Sequence, residues 1–323
     1  MRVAELPLRA RSGSVTHVGR TASTDDQQEP RRASLGLPRF ARSSSGPSRG
    51  PELSRRMLRL DVRRSRGSME QAQAAALPRR HTARVGAAAH GSTFVLVHSP
   101  LVGPTSWLPV ARELERRGRG VVVPSLLGVA DAAEPQWHHV RDAVRIATSD
   151  LRQRIILVGH SGAGLLLPVI ADARDNDVAA LIFVDSSLPP RGGRLQLGRP
   201  AFMDQLRAMA TDGLLPPWSR WFGPDAMREL VPDERLRADT EAEMPRLPLS
   251  YFEATVPLPD DWANRRPCAY LLLSASGYGE PAAEARAHGW PVIEIDGVGY
   301  LAIATIRSRS LTLCLTWNGP WSN

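Results

Sequence analysis

The 323-residue sequence predicts an α/β fold, in which helices cover both faces of a mostly parallel sheet. From residue 93 onward, short apolar runs alternate with longer segments of helical periodicity. Several of the short runs are apolar at every position, which is typical of strands buried on both faces. Strands that alternate with helices pair in parallel through right-handed crossovers, so we expect one doubly covered sheet.

Six runs are predicted as strands, and they span residues 93–98, 121–124, 155–158, 180–185, 269–274 and 291–295. Four segments have helical spacing, and they span residues 107–117, 136–151, 164–174 and 282–287. The first helix ends at Gly118, and glycine is common just past a helix C-terminus because it adopts positive φ easily.

An insertion over residues 188–264 interrupts this alternation between the fourth and fifth strands. Prolines divide it into helix-like pieces at 200–211, 225–230 and 233–244. It concentrates bulky apolar side chains, namely Phe202, Met203, Met209, Trp218, Trp221, Phe222, Tyr251, Phe252 and Trp262. We interpret the insertion as a helical cap over an apolar substrate pocket. The alternative is that the same side chains only pack the insertion onto the core.

The first 90 residues differ from the rest in charge. They carry 18 arginines and 7 acidic residues, whereas residues 91–323 carry 23 arginines and 26 acidic residues. A segment so rich in Arg, Ser, Gly and Pro buries too little apolar surface to offset the entropy of ordering it. We predict a disordered tail over 1–90 and an α/β domain over 91–323. The tail is interpreted as an extension before a start at Met57 or Met69, with a nucleic-acid or lipid arm and a transit peptide as alternatives.

Composition excludes several classes of protein. All 41 basic residues are arginine, and the net charge of +8 belongs to the tail, so the folded part is not expected to bind nucleic acid. Two cysteines exclude a disulfide framework, and no apolar run approaches the roughly 20 residues of a membrane span. We expect a cytoplasmic protein with a small-molecule substrate, no membrane partner, no cofactor and no metal; the oligomeric state stays open.

The strongest motif is VGHSGAG at residues 158–164, between a predicted strand and a predicted helix. A serine on such a sharp turn projects its hydroxyl above the sheet, and the turn needs small residues two positions before and after it. Gly159 and Ala163 meet this requirement. Ser161 is therefore predicted as a nucleophile, and Gly162, whose amide begins the helix, as a donor to a developing oxyanion.

With this motif the sequence resembles the α/β-hydrolase family over residues 93–304, particularly its hydroxynitrile-lyase and plant-esterase-like branch and uncharacterised bacterial hydrolases. That family has a second oxyanion donor after its first central strand, where this chain has HSPL at 98–101, followed by Trp107 at the family's spacing. Pro100 stands where the donor is expected and has no N–H. The resemblance then implies that Leu101 donates, or that the site has one good donor.

The resemblance also implies an acid and a histidine. Asp185, at the end of the strand after the nucleophile helix, occupies one position that the family uses for the acid. The commoner position, after the next strand, offers Glu280. Tyr300 stands where the histidine is expected, in DGVGYLA at 296–302, and a phenol with a pKa near 10 is a poor base at neutral pH. No lysine is present to replace that base.

Other histidines and the end of the chain do not fill this gap. His288 is expected on the surface, the side chain of His160 is expected to diverge from the serine hydroxyl, and His98 is expected to be structural. Residues 311–317 alternate like a strand where the family continues into an amphipathic helix. We hypothesise that this tail lies outside the ancestral reading frame, which resequencing tests.

The sequence therefore predicts an esterase-type serine hydrolase for small or medium apolar acyl substrates, impaired because Tyr300 takes the place of histidine. The alternative is a catalytically inactive homologue that keeps the fold and a ligand pocket. Hydroxynitrile-lyase activity is implied by the resemblance alone.

Overall fold

The computed structural model describes residues 83–85, 91–173, 178–223 and 225–305. The predicted tail, apart from residues 83–85 in its last part, and the strand-like segment 311–317 lie outside the described residues. Within the described ranges, no helix combines the length and the apolar character of a membrane span.

Nine strands form two sheets in this part of the chain. They are β1 (Ala83–Val85), β2 (Thr93–Val97), β3 (Val121–Val123), β4 (Ile155–His160), β5 (Val178–Val184), β6 (Gly193–Gln196), β7 (Thr255–Leu258), β8 (Cys268–Leu272) and β9 (Val292–Glu294). The main sheet has the order β1-β3-β2-β4-β5-β8-β9, and among its strands only β1 is antiparallel to its neighbour. β4 is therefore the central strand.

All six predicted strands are present, as β2, β3, β4, β5, β8 and β9, and the mostly parallel sheet is confirmed. The sequence prediction misses β1, which lies inside the segment 1–90 and pairs with β3 from Ala83 to Val85. Three residues are too few for a periodicity to be visible in the sequence. The fold thus begins before residue 91.

Eight α-helices accompany these strands in the described ranges. They are α1 (Leu108–Arg116), α2 (Trp137–Ala147), α3 (Leu167–Asp172), α4 (Pro200–Met209), α5 (Ala226–Leu230), α6 (Glu234–Ala242), α7 (Leu249–Glu253) and α8 (Ala275–Ala287). Gly118 follows α1 with φ 71°, as predicted. The helix predicted over 164–174 is divided into the 3₁₀ helix Ser161–Leu166 and α3, since Pro168 near the start of α3 has no N–H for a preceding turn.

Residues of β4 point alternately into two apolar layers. Ile155 and Leu157 pack with side chains of α2, α3 and α8, whereas Ile156 and Val158 pack with side chains of α1. All four side chains are fully buried. Burying each contributes about 1.5–3 kcal/mol, so the central strand is firmly held where it delivers the serine.

The insertion contains the three predicted helical pieces as α4, α5 and α6. It also contains a small antiparallel sheet of β6 and β7, and α7, which the sequence prediction misses. Its apolar side chains pack in two ways. One cluster around Met203 and Leu206 is internal, and another, which includes Trp218 and Met244, packs against the loops after β2 and β9.

Candidate active site

The candidate site residues converge at the carboxyl ends of the parallel strands. Ser161 follows β4, Asp185 follows β5, Tyr278 lies in the first turn of α8 after β8, and Tyr300 follows β9. The loop at 98–103 follows β2 at the same edge. β3 pairs on one side of β2 and β4 on the other, and open α/β sheets bind ligands at such a reversal of strand order.

Ser161 occupies a strained backbone conformation, with φ 55°. The extended strand β4 ends at His160, and the 3₁₀ helix begins at the next residue, so the chain reverses within a single residue. A left-handed conformation costs a non-glycine residue on the order of 1–3 kcal/mol. The geometry is that of a serine at a strand-to-helix elbow.

Two glycines permit this turn. A Cβ on Gly159 would lie 3.0 Å from both Cα and N of Gly164 and 3.0 Å from Cδ2 of Leu167. A Cβ on Gly164 would overlap the side chain of Ser186. The methyl of Ala163 is buried and accommodated. The small residue expected at position 163 is present, but the strict requirement for glycine falls one position later.

The loop after β2 runs beside the predicted oxyanion donor, Gly162. A Cβ on Gly162 would lie 3.7 Å from Oγ of Ser99 and 3.9 Å from Cδ of Pro100. The N–H of Gly162 belongs to the first turn of the 3₁₀ helix, where amides lack helical partners. The N–H of Leu101 donates to Oγ of Ser99 at 3.3 Å. A ligand oxygen therefore has to displace this long bond to use Leu101 as its second donor.

His98 fixes the start of this loop. Its Nδ1–H donates to the carbonyl of Ser99 at 2.8 Å, and its Nε2 accepts from the N–H of Leu126 at 3.0 Å. Burial lowers the pKa of His98 to about 4, so the ring is neutral at neutral pH. Because both ring nitrogens are engaged, His98 has the structural role expected for it.

Tyr300 reaches the serine. Its hydroxyl donates a hydrogen bond to Oγ of Ser161, the contact that the resemblance assigns to a histidine. Its half-buried ring lies 5.5 Å from the ring of Trp218, between centroids. Burial, reinforced by the charge of nearby Tyr278 and Asp185 when they ionise, raises the pKa of Tyr300 well above 10. The phenol is therefore a neutral donor at neutral pH.

Sequence reasoning missed Tyr278. Its ring is stacked on that of Tyr300, with 5.8 Å between centroids and an interplanar angle of 6°. Burial raises the pKa of Tyr278, and the nearby hydroxyls of Ser161 and Tyr300 oppose this shift. The available signal was its position after β8, in the segment where the resemblance implies the commoner acid. The sequence analysis expected a loop there and considered only its carboxylate, whereas the structure begins α8 at Ala275.

Asp185 holds the connection that leads to Tyr278. It has φ 40°, and its carboxylate accepts from the N–H of Leu273 at 2.7 Å, from the N–H of Ser274 at 3.2 Å and from Oγ of Ser274 at 2.5 Å. Burial raises the pKa of Asp185, and these hydrogen bonds oppose the shift. Its carboxylate makes no hydrogen bond to Tyr300 within the described residues, so its predicted role as the orienting acid stays a prediction.

Glu280 and His288 lie apart from this cluster. Glu280 is exposed on α8, and in the part of the chain that the structure describes its side chain forms no hydrogen bond or ion pair. His288 contacts Nη2 of Arg191 at 2.9 Å and lies 3.6 Å from Oε1 of Glu284. The structure therefore brings neither residue to Ser161.

His160 adjoins Ser161, but its side chain is engaged elsewhere. Its Nε2–H donates to the backbone carbonyl of Tyr300 at 3.2 Å, and its ring meets that of Trp107 edge-on at 6.2 Å. Burial lowers the pKa of His160 to about 3. As expected, the side chain of His160 points away from the serine hydroxyl. It hydrogen-bonds instead to the backbone of Tyr300, the residue at the position that the resemblance assigns to histidine.

The insertion is tied to the loop after β2 through Glu243, at the end of α6. Its carboxylate accepts from the N–H and the hydroxyl of Thr105, both at 2.8 Å. The same side chain fills the space beside Gly103, where a Cβ would overlap it. This anchor keeps Trp218 and the apolar cluster around it next to Tyr300.

A parallel sheet with a strained serine after its central strand defines the class of the protein. The model of the alpha/beta hydrolase family matches residues 89–304. The chain belongs to this family, as the resemblance in its sequence indicates.

Among curated proteins, two esterases match part of the chain. The carbendazim hydrolyzing esterase of Nocardioides sp. (strain SG-4G) is 28% identical over 110 residues, 32% of this chain and 46% of that protein. Esterase PIR7B of Oryza sativa subsp. japonica is 28% identical over 131 residues, 38% of this chain and 47% of that protein. The chain thus spans about half the length of these relatives.

Solved structures share the fold. An extracellular α/β-hydrolase from a Paenibacillus species, described as structurally and functionally homologous to tobacco salicylic acid binding protein 2, has a TM-score of 0.56 at 18% identity, covering 71% of this chain and 99% of that one. Polyneuridine aldehyde esterase has a TM-score of 0.51 at 15% identity, covering 70% of this chain and 99% of that one.

Proposed function

We propose that this chain is an esterase-type serine hydrolase for small or medium apolar acyl substrates, with Ser161 as its nucleophile. The carrying observation is the strained elbow at Ser161, whose hydroxyl is hydrogen-bonded by Tyr300 in the place of the usual base. Membership of the α/β-hydrolase family and the matches to esterases support this chemistry.

In this proposal Ser161 attacks the ester carbonyl, and the N–H groups of Gly162 and Leu101 stabilise the oxyanion. The apolar side chains around Trp218 favour an apolar acyl group. The reaction is slow because Tyr300, a neutral phenol, replaces a histidine base. General-base catalysis typically raises the rate about 10²–10⁴-fold, so we expect the rate with Tyr300 to be lower than that with a histidine base by about this factor.

Labelling of the full chain with a fluorophosphonate tests the nucleophile. We expect slow labelling of the wild type, none of Ser161→Ala, and wild-type labelling of Ser149→Ala, a matched control at an exposed serine hydroxyl. Wild-type labelling no stronger than that of Ser161→Ala under native conditions removes Ser161 as the nucleophile.

A catalytically inactive homologue with a ligand pocket is the second candidate. It is favoured by the surroundings of Ser161, whose hydroxyl accepts a hydrogen bond from the phenol of Tyr300; in the described ranges no histidine or carboxylate side chain hydrogen-bonds to it. This candidate predicts neither labelling nor ester turnover, so the same experiment separates the two.

We further propose a cytoplasmic location. Cys268 is a free, buried thiol, as expected in a reducing compartment. Fractionation of cells with an antibody to the chain tests this, and recovery outside the cytoplasmic fraction contradicts it.

A further inference from the structure

A cavity of about 290 Å³ is lined entirely by residues of the insertion. Its walls come from the end of α4, the stretch that leads into the 3₁₀ helix Trp218–Arg220, and the connection between α6 and α7. The lining residues are Met209, Thr211, Pro216, Pro217, Arg220 and Arg246. None of them belongs to the candidate active site, so no step of the proposed hydrolysis uses this cavity.

The lining combines an apolar part with a cationic part. Met209 and two prolines supply apolar surface, whereas Arg220 and Arg246 bring two positive charges to the same cavity. No acidic side chain of the described residues lines it. Within those residues, the two guanidinium groups and the hydroxyl of Thr211 form no hydrogen bond or ion pair. Three sets of donors are therefore available to a ligand.

Other arginines of the insertion are paired with acidic residues. Nη1 of Arg207 lies 3.2 Å from Oδ1 of Asp204, and Nη1 of Arg228 lies 3.3 Å from Oδ1 of Asp225. The two arginines of the cavity have no such neighbour in the described part of the chain. A concave surface with charges of one sign raises the local concentration of ions of the opposite sign. The cavity therefore favours an anion.

Hydrogen bonds hold the walls of the cavity in place. The N–H of Leu215, which is buried next to the lining, donates to the carbonyl of Leu247 at 2.9 Å and joins two of the three wall segments. Nε1–H of Trp221 donates to the carbonyl of Pro216 at 2.9 Å and fixes the start of the 3₁₀ helix against its end. Small-molecule sites are usually preformed in this way, with a mainly apolar lining and a few polar groups.

We propose that this cavity binds a small amphipathic carboxylate, with the anionic head on Arg220 and Arg246 and the apolar body on the rest of the lining. Guanidinium groups bind carboxylates through charge-assisted hydrogen bonds. The volume is close to the lower end of the range of about 300–1,000 Å³ for small-molecule sites, which favours a small molecule over a protein segment. The site is separate from Ser161, and its occupancy does not depend on hydrolysis.

Calorimetric titration of the full chain with sodium hexanoate tests the site. We expect saturable binding of hexanoate and at least about tenfold weaker binding of 1-hexanol, which has the same chain without the charge. The double substitution Arg220→Gln and Arg246→Gln should weaken hexanoate binding at least about tenfold and leave 1-hexanol binding unchanged. Arg235→Gln removes an exposed charge of α6 outside the cavity, and this matched control should bind hexanoate like the wild type.

Thr211→Glu is a second variant at an exposed position of the lining. Its carboxylate competes for the two guanidinium groups, so we expect it to weaken hexanoate binding at least about fivefold. Ser161→Ala should bind hexanoate like the wild type, because the cavity is separate from the candidate active site.

Three results overturn the proposal. They are a wild type that does not bind hexanoate saturably, a double variant that binds it as tightly as the wild type, and 1-hexanol binding as tight as that of hexanoate. The proposed hydrolysis fails by a different measurement, namely fluorophosphonate labelling no stronger than that of Ser161→Ala, so the two failures are distinguishable.

Discussion

Two regions of this α/β-hydrolase differ in how closely they match the family pattern. The nucleophile half is the elbow at Ser161 with the loop after β2, and the histidine half is the pair of segments after β8 and β9. At the end of β4, the strained Ser161, the two glycines and the adjacent loop after β2 fit one another closely. At the ends of β8 and β9, the fold is equally regular, but the side chain that hydrogen-bonds to the serine is the phenol of Tyr300. The backbone of the candidate site thus follows the family pattern where the side chain at the position implied for histidine does not.

This difference follows from how each half is held. The elbow is constrained by steric contacts of its glycines, with backbone atoms at Gly159 and with the side chain of Ser186 at Gly164, so a substitution there disturbs the fold itself. The backbone carbonyl of Tyr300 is held by His160, whereas its side chain reaches the serine between the rings of Tyr278 and Trp218. Chemistry carried by one side chain can change while the architecture remains.

Tyr300→His has the largest expected effect on this comparison. An imidazole at this position supplies the missing base, and we expect kcat/KM for p-nitrophenyl butyrate to rise between about 10² and 10⁴-fold. The rate should increase with pH through about 6.5, because the neutral imidazole is the active form. Tyr300→Phe is the control without gain. If kcat/KM does not rise in Tyr300→His either, the loop that contains Pro100 also lacks a working oxyanion donor.

Acidification tests how completely the nucleophile half is buried. His98 and His160 have pKa values of about 4 and about 3, below the unfolded value near 6.5, so on acidification the unfolded chain binds two protons that the folded chain does not. The free energy of unfolding should fall by about 2–3 kcal/mol per pH unit from pH 6 toward 4. Asp185, with its pKa raised, opposes this because it retains a proton in the folded state as pH rises.

Urea unfolding at pH 6 and pH 5 measures this slope. His160→Gln should reduce it by about one proton, or 1.4 kcal/mol per pH unit. A wild-type slope near zero contradicts the neutral, buried state of both rings.

A pair of glycine substitutions has the smallest expected effect. Gly164→Ala places a methyl against Ser186 and should lower the free energy of unfolding by about 1–3 kcal/mol. Gly277→Ala, in α8 with nothing within 4 Å, should be neutral or raise it by up to about 1 kcal/mol. Thermal unfolding compares the two. Equal destabilisation would falsify the view that the nucleophile half alone is sterically constrained.

The six buried strands and the elbow were predictable because buried strands and a tight turn leave local signatures in the sequence. β1 was not, since three residues at a sheet edge show no periodicity. The strict need for Gly164 was hidden because it arises from Ser186, far along the chain. Tyr278 was missed because stacking on Tyr300 brings it to the site, and this contact joins α8 to the loop after β9, which are distant in the sequence.

The support of residue 300 by its own backbone has an evolutionary consequence. Tyrosine and histidine codons differ by one base, and the exchange leaves the hydrogen bond from His160 to the carbonyl of residue 300 untouched. On the proposed function, a single point mutation therefore separates two acid–base groups on one scaffold.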